Sequence, residues 1–313
     1  MLSYLPIFHG FGLSICINTP LCLGMKCILI PKLNTKKVNS IIKHKKPNFL
    51  PVIPSLLEII TKDMFLNKNA FKSVLCVLSG GDFLSLKLKE KSEKYLKNHG
   101  SNAKIIIGYG LTECTASTCG SFVGEYKSGS IGIPFPDNIY KIMKPNTNIE
   151  AEVNEIGEIC INGPTVMNRY LNNEEETFKT LRLHDDDRLY LHTGDLGYMD
   201  KDGMFYFSTR LKRMIISNGC NIYPNEIENV FNKHPYVETS IAVGMKDKYK
   251  SEVVKIIIVL KDNIEKNDDT EKELRDYAYK NIAKYSLPKI YEFKTSIPKT
   301  KLGKIDYKEL LNK

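Results

Sequence analysis

The chain has 313 residues, of which 42% are hydrophobic and 26% charged, with a formal net charge of +9. That balance is the one expected of a soluble globular protein long enough for two domains. No run of about 18 apolar residues exists, which excludes a helix that spans a bilayer. The lysines are scattered through KHKK, KLKEKSEK and KTKLGK, without one stripe interleaved by aromatics, so a solvated surface is expected and nucleic-acid binding is not.

From residue 1 to about 120, short β-rich runs alternate with helical patterns, the rhythm of a mostly parallel α/β sheet. The opening MLSYLPIFHGFGLS lacks a basic leader and a small-residue cleavage site, so no secretory signal is expected. The β-rich runs are CILIP at 27–31, VLCVL at 74–78 and KIIIG at 104–108. One helix is predicted from Thr35 with Val38, Ile41 and Ile42 on one face, and another from Pro54 with Leu56, Leu57 and Ile60 inward. A third follows Gly80-Gly81, carries Leu84, Leu88, Tyr95 and Leu96, and stops near Gly100.

From about 129 to 210 the helical rhythm fades. Segments such as GEICING and GMFYFSTR, separated by Gly, Asn and Asp, predict antiparallel β structure. A third region from about 212 reads as a β-hairpin, a helix with Pro224 in its first turn and Ile227, Val230 and Phe231 inward, and strands at 239–244 and 253–260. A further helix is predicted from a capping box, Thr270-x-x-Glu273, after an exposed loop in KDNIEKNDDTEK, and the chain closes on a lysine-rich tail. The eight cysteines contain no C-x-x-C pair and no partnered His spacing. They read as reduced, mostly buried thiols of a cytoplasmic protein, with neither a zinc site nor a disulfide framework expected.

Two glycine motifs carry the chemistry. SGGDF at 79–83 and GYGLTE at 108–113 each follow an apolar β run, so both fall where the strands of an open α/β sheet end and ligands bind. Either alone is equally a chain turn. Together they are more specific, because glycine admits a ligand close to the backbone, Thr112 offers a hydroxyl to a phosphate oxygen, and Glu113 offers a carboxylate to Mg²⁺. A nucleotide site is the expectation. Asp195, in YLHTGDLG, either caps a turn or accepts two hydrogen bonds from the vicinal hydroxyls of a ribose. Arg210, Lys212 and Arg213 mark the start of the third region, as anion contacts or as surface charge.

The order LPIFHGFG, SGGDF, GYGLTE, GEICINGPTVMNRY, YLHTGDLG, TRLKRMIISNGCNIYPNEIE and KLGKID resembles the adenylate-forming superfamily of acyl-CoA synthetases, adenylation domains and luciferases over essentially the whole chain. The resemblance implies an α/β fold. Residues 1–211 would be the remainder of the large AMP-binding domain, with α/β sheet layers and a β-rich subdomain, and residues 212–313 a small, mobile α+β C-terminal domain. It implies that ATP, Mg²⁺ and CoA are used to activate a carboxylic acid, a fatty acid by preference. The thiol acceptor would be CoA or an acyl carrier protein, with no nucleic-acid partner.

By similarity, Tyr109 packs on adenine, Thr112 contacts the α-phosphate, Glu113 holds Mg²⁺, and Gly81 lines the adenine and acyl pocket. Asp195 and Arg210 bind the ribose, Lys304 bridges the carboxylate and the α-phosphate, and Lys212 is the hinge. Gly219 meets the pantetheine arm, and His9 borders the acyl tunnel. No Asp occurs between residues 1 and 20 to hold an α-amine, and Phe11, Leu13 and Ile15 favour a hydrophobic tail. Four positions depart from the family pattern: Thr209 stands where glycine is common, Arg213 where many relatives have Asp, Asn218 replaces one glycine of a pair, and Cys220 replaces an acidic residue. The family's Gly/Ser/Thr-rich phosphate loop ending in Pro-Lys is not in these residues, and the expectation is an upstream segment, encoded separately or on a companion chain. The alternative is a truncated remnant or pseudoenzyme that serves only as a nucleotide- or partner-binding module.

Overall fold

The computed structural model describes residues 1–63, 66–121, 127–145, 147, 149–247, 251–298 and 305–311. The chain divides into two compact units, residues 1–193 with 198–207, and residues 194–197 with 208–313. Among the described residues no helix is long and apolar enough to cross a membrane.

In the first unit, β1 (Leu2–Ser3) pairs in parallel with β2 (Ile28–Leu29), and a π-type helical segment, Phe11–Asn18, and α1 (Thr19–Cys22) lie between them in the chain. CILIP therefore does form a strand, but one outside the main sheet. Asn34 accepts the Lys36 amide and starts a tight turn into α2 (Val38–Lys45), whose buried stripe includes Val38 and Ile42. Then come β3 (Phe49–Val52), α3 (Pro54–Ile60), β4 (Cys76–Ser79), α4 (Leu86–Asn98) and β5 (Lys104–Tyr109). The three strands pair in parallel.

Pro51 lies on β3, at the end of the sheet order, where a missing N–H interrupts no inner ladder. Pro54 opens α3 with its φ preset for a helix, and the Ser85 hydroxyl accepts the Leu88 amide to cap α4. Leu50, Val52, Leu56, Leu57, Ile60, Val77, Leu96 and Ile105 are buried in one core between these helices and the sheet. Burial contributes about 1.5–3 kcal/mol for each large side chain.

β6 (Cys119–Gly120) and β7 (Ile133–Pro134) extend this sheet in antiparallel fashion, giving the order β3-β4-β5-β6-β7. The expected mostly parallel sheet is thus mixed. The connection at 110–118 is shorter than the dozen or so residues a parallel crossover needs, so the chain must reverse there.

A second sheet comprises β8 (Ile139–Met143), β9 (Gly157–Asn162), β10 (Leu181–Leu183), β11 (Leu189–Met199) and β12 (Phe205–Arg210), in the order β10-β11-β9-β8 with β12 on β11. α5 (Glu174–Thr180), capped by Asn173, interrupts a region the sequence reads as β-rich throughout. Ile159, Ile161 and Leu191 join one core with Tyr109, Tyr140 and Phe205, while the alternate residues Cys160 and Tyr190 pack with Met143.

The second unit runs β13 (Ile215–Ser217), β14 (Cys220–Ile222), α6 (Pro224–Lys233), β15 (Val237–Asp247), β16 (Ser251–Leu260), α7 (Asp268–Asn281), β17 (Ile290–Phe293) and α8 (Tyr307–Leu311). Its sheet has the order β14-β13-β16-β15, with β17 parallel to β16. Ile227 and Phe231 of α6, Leu274 and Ala278 of α7, and Ile256 and Ile258 of β16 form one core. Ile241, Val243, Ile257 and Leu310 form another. The predicted capping box is corrected. Asn267 is the cap of α7, its side chain accepting the Thr270 amide, while Thr270 is buried in the first turn and bonds the Glu265 carbonyl. Asn at the cap wins because its side-chain oxygen reaches the third helical amide directly.

Candidate functional site

Three motifs of the first unit converge at the C-terminal ends of β4 and β5. A Cβ built on Gly80 would lie 3.4 Å from both the Gly108 carbonyl and the Phe11 ring. On Gly81, whose φ is +80°, it would lie 3.7 Å from Ile53 and 3.8 Å from Phe11. On Gly10 it would come within 2.2 Å of the Thr115 carbonyl, and on Gly110 within 1.6 Å of the Ala116 carbonyl. The segment after His9 is therefore packed on SGGDF through Phe11 and on the Thr115–Ala116 turn that follows GYGLTE through Gly10, and it is at Gly10 and Gly110 that the approach is one only glycine permits. His9 accepts the Phe11 amide at Nδ1 over 3.2 Å, which leaves Nε2 as the proton-bearing edge of a neutral ring.

Thr112–Cys114 is a single 3₁₀ turn, anchored by the Leu111 amide bonding to the buried Cys114 sulfur at 3.1 Å. Thr112 is exposed and Glu113 half-buried at its tip. Glu113 is tied to the 163–170 segment twice: its Oε1 accepts the Tyr170 hydroxyl at 2.7 Å, and its carbonyl accepts the Met167 amide at 2.7 Å. Burial, followed by this carboxylate, pushes the Tyr170 hydroxyl up to about 12, so it stays a donor and fixes one Glu113 oxygen. A carboxylate held beside a threonine hydroxyl is a hard oxygen set that suits Mg²⁺. Tyr109 is buried, its ring 6.4 Å from Tyr140 and 6.5 Å from Phe207.

In the second unit, Asp195 is 2% exposed and its Oδ1 lies 3.1 Å from Nε of Arg210, whose side chain is 62% exposed. The basic partner missing beside Asp195 in the chain is supplied by β12. Thr209 is fully buried, with a hydroxyl that has no hydrogen-bond partner among the described residues. Lys212 is exposed, on the single turn Leu211–Arg213. Gly219 follows Asn218 in a two-residue hairpin turn between β13 and β14, with φ of +76° and +51°, and a Cβ on it would meet nothing within 4 Å. Turn geometry thus accounts for this Asn-Gly pair. Lys304 lies outside the described residues.

Two groups escaped sequence reasoning. Arg213 donates to Glu228 at 2.6 Å and to Asn225 at 3.3 Å, and its guanidinium sits 4.3 Å from the Tyr307 ring centre. Burial pushes the Glu228 carboxyl up, and Arg213 counters it. The arginine at this departure from the family pattern is therefore part of the unit's packing; the acidic residue on the next helix is the signal that could have found it. The second group is Cys160, His184 and His192, which the chain keeps apart and the second sheet brings together.

The AMP-binding enzyme family model matches residues 1–171, and the AMP-binding enzyme C-terminal domain matches residues 226–304. The chain belongs to the AMP-binding enzyme family. A long-chain-fatty-acid–CoA ligase of Bacillus subtilis is 37% identical over 312 residues, 99% of this chain and 53% of that protein. A probable 4-coumarate–CoA ligase 1 of Dictyostelium discoideum is 32% identical over 314 residues, 99% of this chain and 55% of that protein. The chain spans about half the length of the curated relatives it matches. Among solved structures, o-succinylbenzoate CoA synthetase of Bacillus subtilis, in complex with its acyl-adenylate intermediate, has a TM-score of 0.80 at 28% identity, covering 99% of this chain and 60% of that one. ATP-bound MatB of Rhodopseudomonas palustris shares the fold at a TM-score of 0.89 and 24% identity, covering 99% of this chain and 59% of that one.

Proposed function

We propose that these residues are the AMP- and acyl-binding part of an AMP-forming acid–thiol ligase. It would join a carboxylic acid to ATP as acyl-adenylate with release of pyrophosphate, then pass the acyl group to CoA with release of AMP. The observation that carries this is the convergence of the His9–Gly12, Gly80–Gly81 and Gly108–Glu113 segments at the C-terminal ends of parallel strands, where open α/β sheets bind nucleotides. Residues 1–211 serve as the large domain and 212–313 as the small one, with Lys212 as the pivot that exchanges the two half-reactions.

A fatty acid is the substrate class favoured by the absence of an Asp in residues 1–20 and by the name of the 37%-identical relative. The relatives' names favour CoA over a carrier protein. His9 and Gly81 border the acyl chain, Tyr109 the adenine, and Asp195 with Arg210 the ribose. Glu113 would hold Mg²⁺, which supplies charge neutralisation on the phosphate. Thr112 donates to the α-phosphate, and Lys304 neutralises the charge that gathers on the equatorial oxygens as the carboxylate attacks and pyrophosphate leaves. Gly219 lies beside the incoming thiol arm.

The test is calorimetric binding of a non-hydrolysable acyl-adenylate analogue. Wild-type chain binds it, and Asp195→Asn weakens binding about tenfold or more, the equivalent of one charged hydrogen bond at about 1.5–3 kcal/mol. Equal affinity of wild type and Asp195→Asn overturns the ribose assignment, and no binding by a folded wild-type chain overturns the nucleotide site.

A further inference from the structure

Away from the residues assigned above, one cluster combines metal-binding side chains at ligand spacing. Strand alternation sends Ile159, Ile161 and Leu191 into one core and leaves Glu158, Cys160, Tyr190 and His192, all buried, on the other face. His184, in the turn after β10, stacks on Tyr190 with ring centres 4.3 Å apart. One ligand atom from each of Cys160, His184 and His192 lies within 4.8 Å of the others. The two Nε2 atoms are 3.0 Å apart. Two nitrogens bound to one tetrahedral zinc at about 2.0–2.1 Å stand about 3.3 Å apart, so small ring movements would admit the ion. The Cys160 sulfur lies against the same imidazole, 3.5 Å from His192 Nδ1.

The protons are arranged to suit. Glu158 Oε2 is 2.8 Å from His192 Nδ1, so the carboxylate accepts a hydrogen bond from Nδ1–H, which leaves the Nε2 lone pair toward His184. His184 must then donate from Nε2, which leaves its Nδ1 a buried lone pair with no hydrogen-bond partner among the described residues.

We propose that Cys160, His184 and His192 form a binding site for one zinc ion, with Glu158 orienting His192 and water in the fourth position. A thiolate and two imidazoles select zinc over the hard cations Mg²⁺ and Ca²⁺. On binding, the thiol proton goes to solvent, a zinc–sulfur bond replaces the S–H bond, and the His184 Nε2 proton moves to Nδ1. The ion clamps β9, the turn after β10, and β11, the strand that carries Asp195.

The experiment uses the 313-residue chain, stripped with chelator and titrated with Co²⁺ and then Zn²⁺. It needs no nucleotide, so its failure is separate from failure of the ligase assignment. One equivalent of Co²⁺ gives a thiolate-to-cobalt charge-transfer band with intense visible bands of a tetrahedral site, and Zn²⁺ displaces it. Cys160→Ser abolishes the charge-transfer band. His184→Ala, at a half-buried position with its fold checked by circular dichroism, loses stoichiometric binding, and Glu158→Gln lowers affinity about 10- to 100-fold. Cys22→Ser and Cys220→Ser, at exposed thiols, leave the titration unchanged. No charge-transfer band in wild type, a band that survives Cys160→Ser or His184→Ala, or one lost with either exposed thiol overturns the site.

Discussion

Gly110→Ala is the sharpest probe of how the GYGLTE turn is built. A Cβ at this position would sit 1.6 Å from the Ala116 carbonyl oxygen, 2.6 Å from its carbon and 2.8 Å from the Ser117 Cα, all of them backbone. Relief requires the 115–118 chain to retreat by more than about 1 Å, and no side-chain rotation substitutes for that movement. The nearest casualty is the bond from the Thr118 amide to the Tyr109 carbonyl, 3.0 Å long, which sits next to the Tyr109↔Cys119 pair of β5 and β6. A lost hydrogen bond costs about 0.5–1.5 kcal/mol and overpacking about 1–3 kcal/mol, so the expected loss is about 2–4 kcal/mol. Gly219→Ala is the contrast: its surroundings are open, and only the positive φ opposes alanine, at about 1–2 kcal/mol. Urea unfolding followed by circular dichroism measures both. The acyl-adenylate analogue should bind Gly110→Ala at least about tenfold more weakly at temperatures where the variant remains folded, one factor of ten being about 1.4 kcal/mol. A Gly110→Ala midpoint equal to wild type, or below wild type by no more than that of Gly219→Ala, refutes the close-approach account.

Arg213→Ala strands the largely buried Glu228 carboxylate and should cost about 3–5 kcal/mol in urea unfolding, with Glu228→Gln in the same chain restoring most of it; a loss below about 1 kcal/mol sinks the pairing. Lys304→Ala should cut carboxylate-dependent pyrophosphate exchange about 10²- to 10³-fold, and near-normal exchange removes Lys304 from the first half-reaction. Two carboxylates set an acid limb. The Lys141 hydrogen bond outweighs burial and holds Asp186 at about 2, and at Asp200 burial is the largest influence but is overcome by Lys127 and the Met204 and Asp202 amides, again to about 2. Both sit below the unfolded value of about 3.9, so their contribution is complete above about pH 4 and disappears as pH falls toward 2. The stability gap between wild type and Asp200→Asn, measured across that window, should close; a gap independent of pH contradicts the assignment.

The residues that order β4, β5, α3, α4 and α6 are legible in the chain. Apolar spacing is a local property, so Leu56, Leu57 and Ile60, or Ile227 and Phe231, announce their buried face without reference to the rest of the molecule. The motif order likewise carries the family, because Gly80, Gly81, Gly110 and Asp195 are recognisable one segment at a time. Short elements were less readable. β3 contains a proline, β1 has two residues, and α5 hides among strands, because too few residues repeat for a period to show.

What only the tertiary structure decided is pairing at a distance. Strand order and register place Arg210 on Asp195 and His192 against Cys160, 32 residues away, while the packing of α6 and of the turn after β10 brings Glu228 under Arg213 and His184 to His192, eight residues away. No spacing rule predicts those meetings, since each depends on which strands become neighbours and which face each side chain takes. The sequence by itself determined the kinds of element and the family; the tertiary structure determined which titratable groups become neighbours, because hydrogen-bonded register is a property of two segments and never of one.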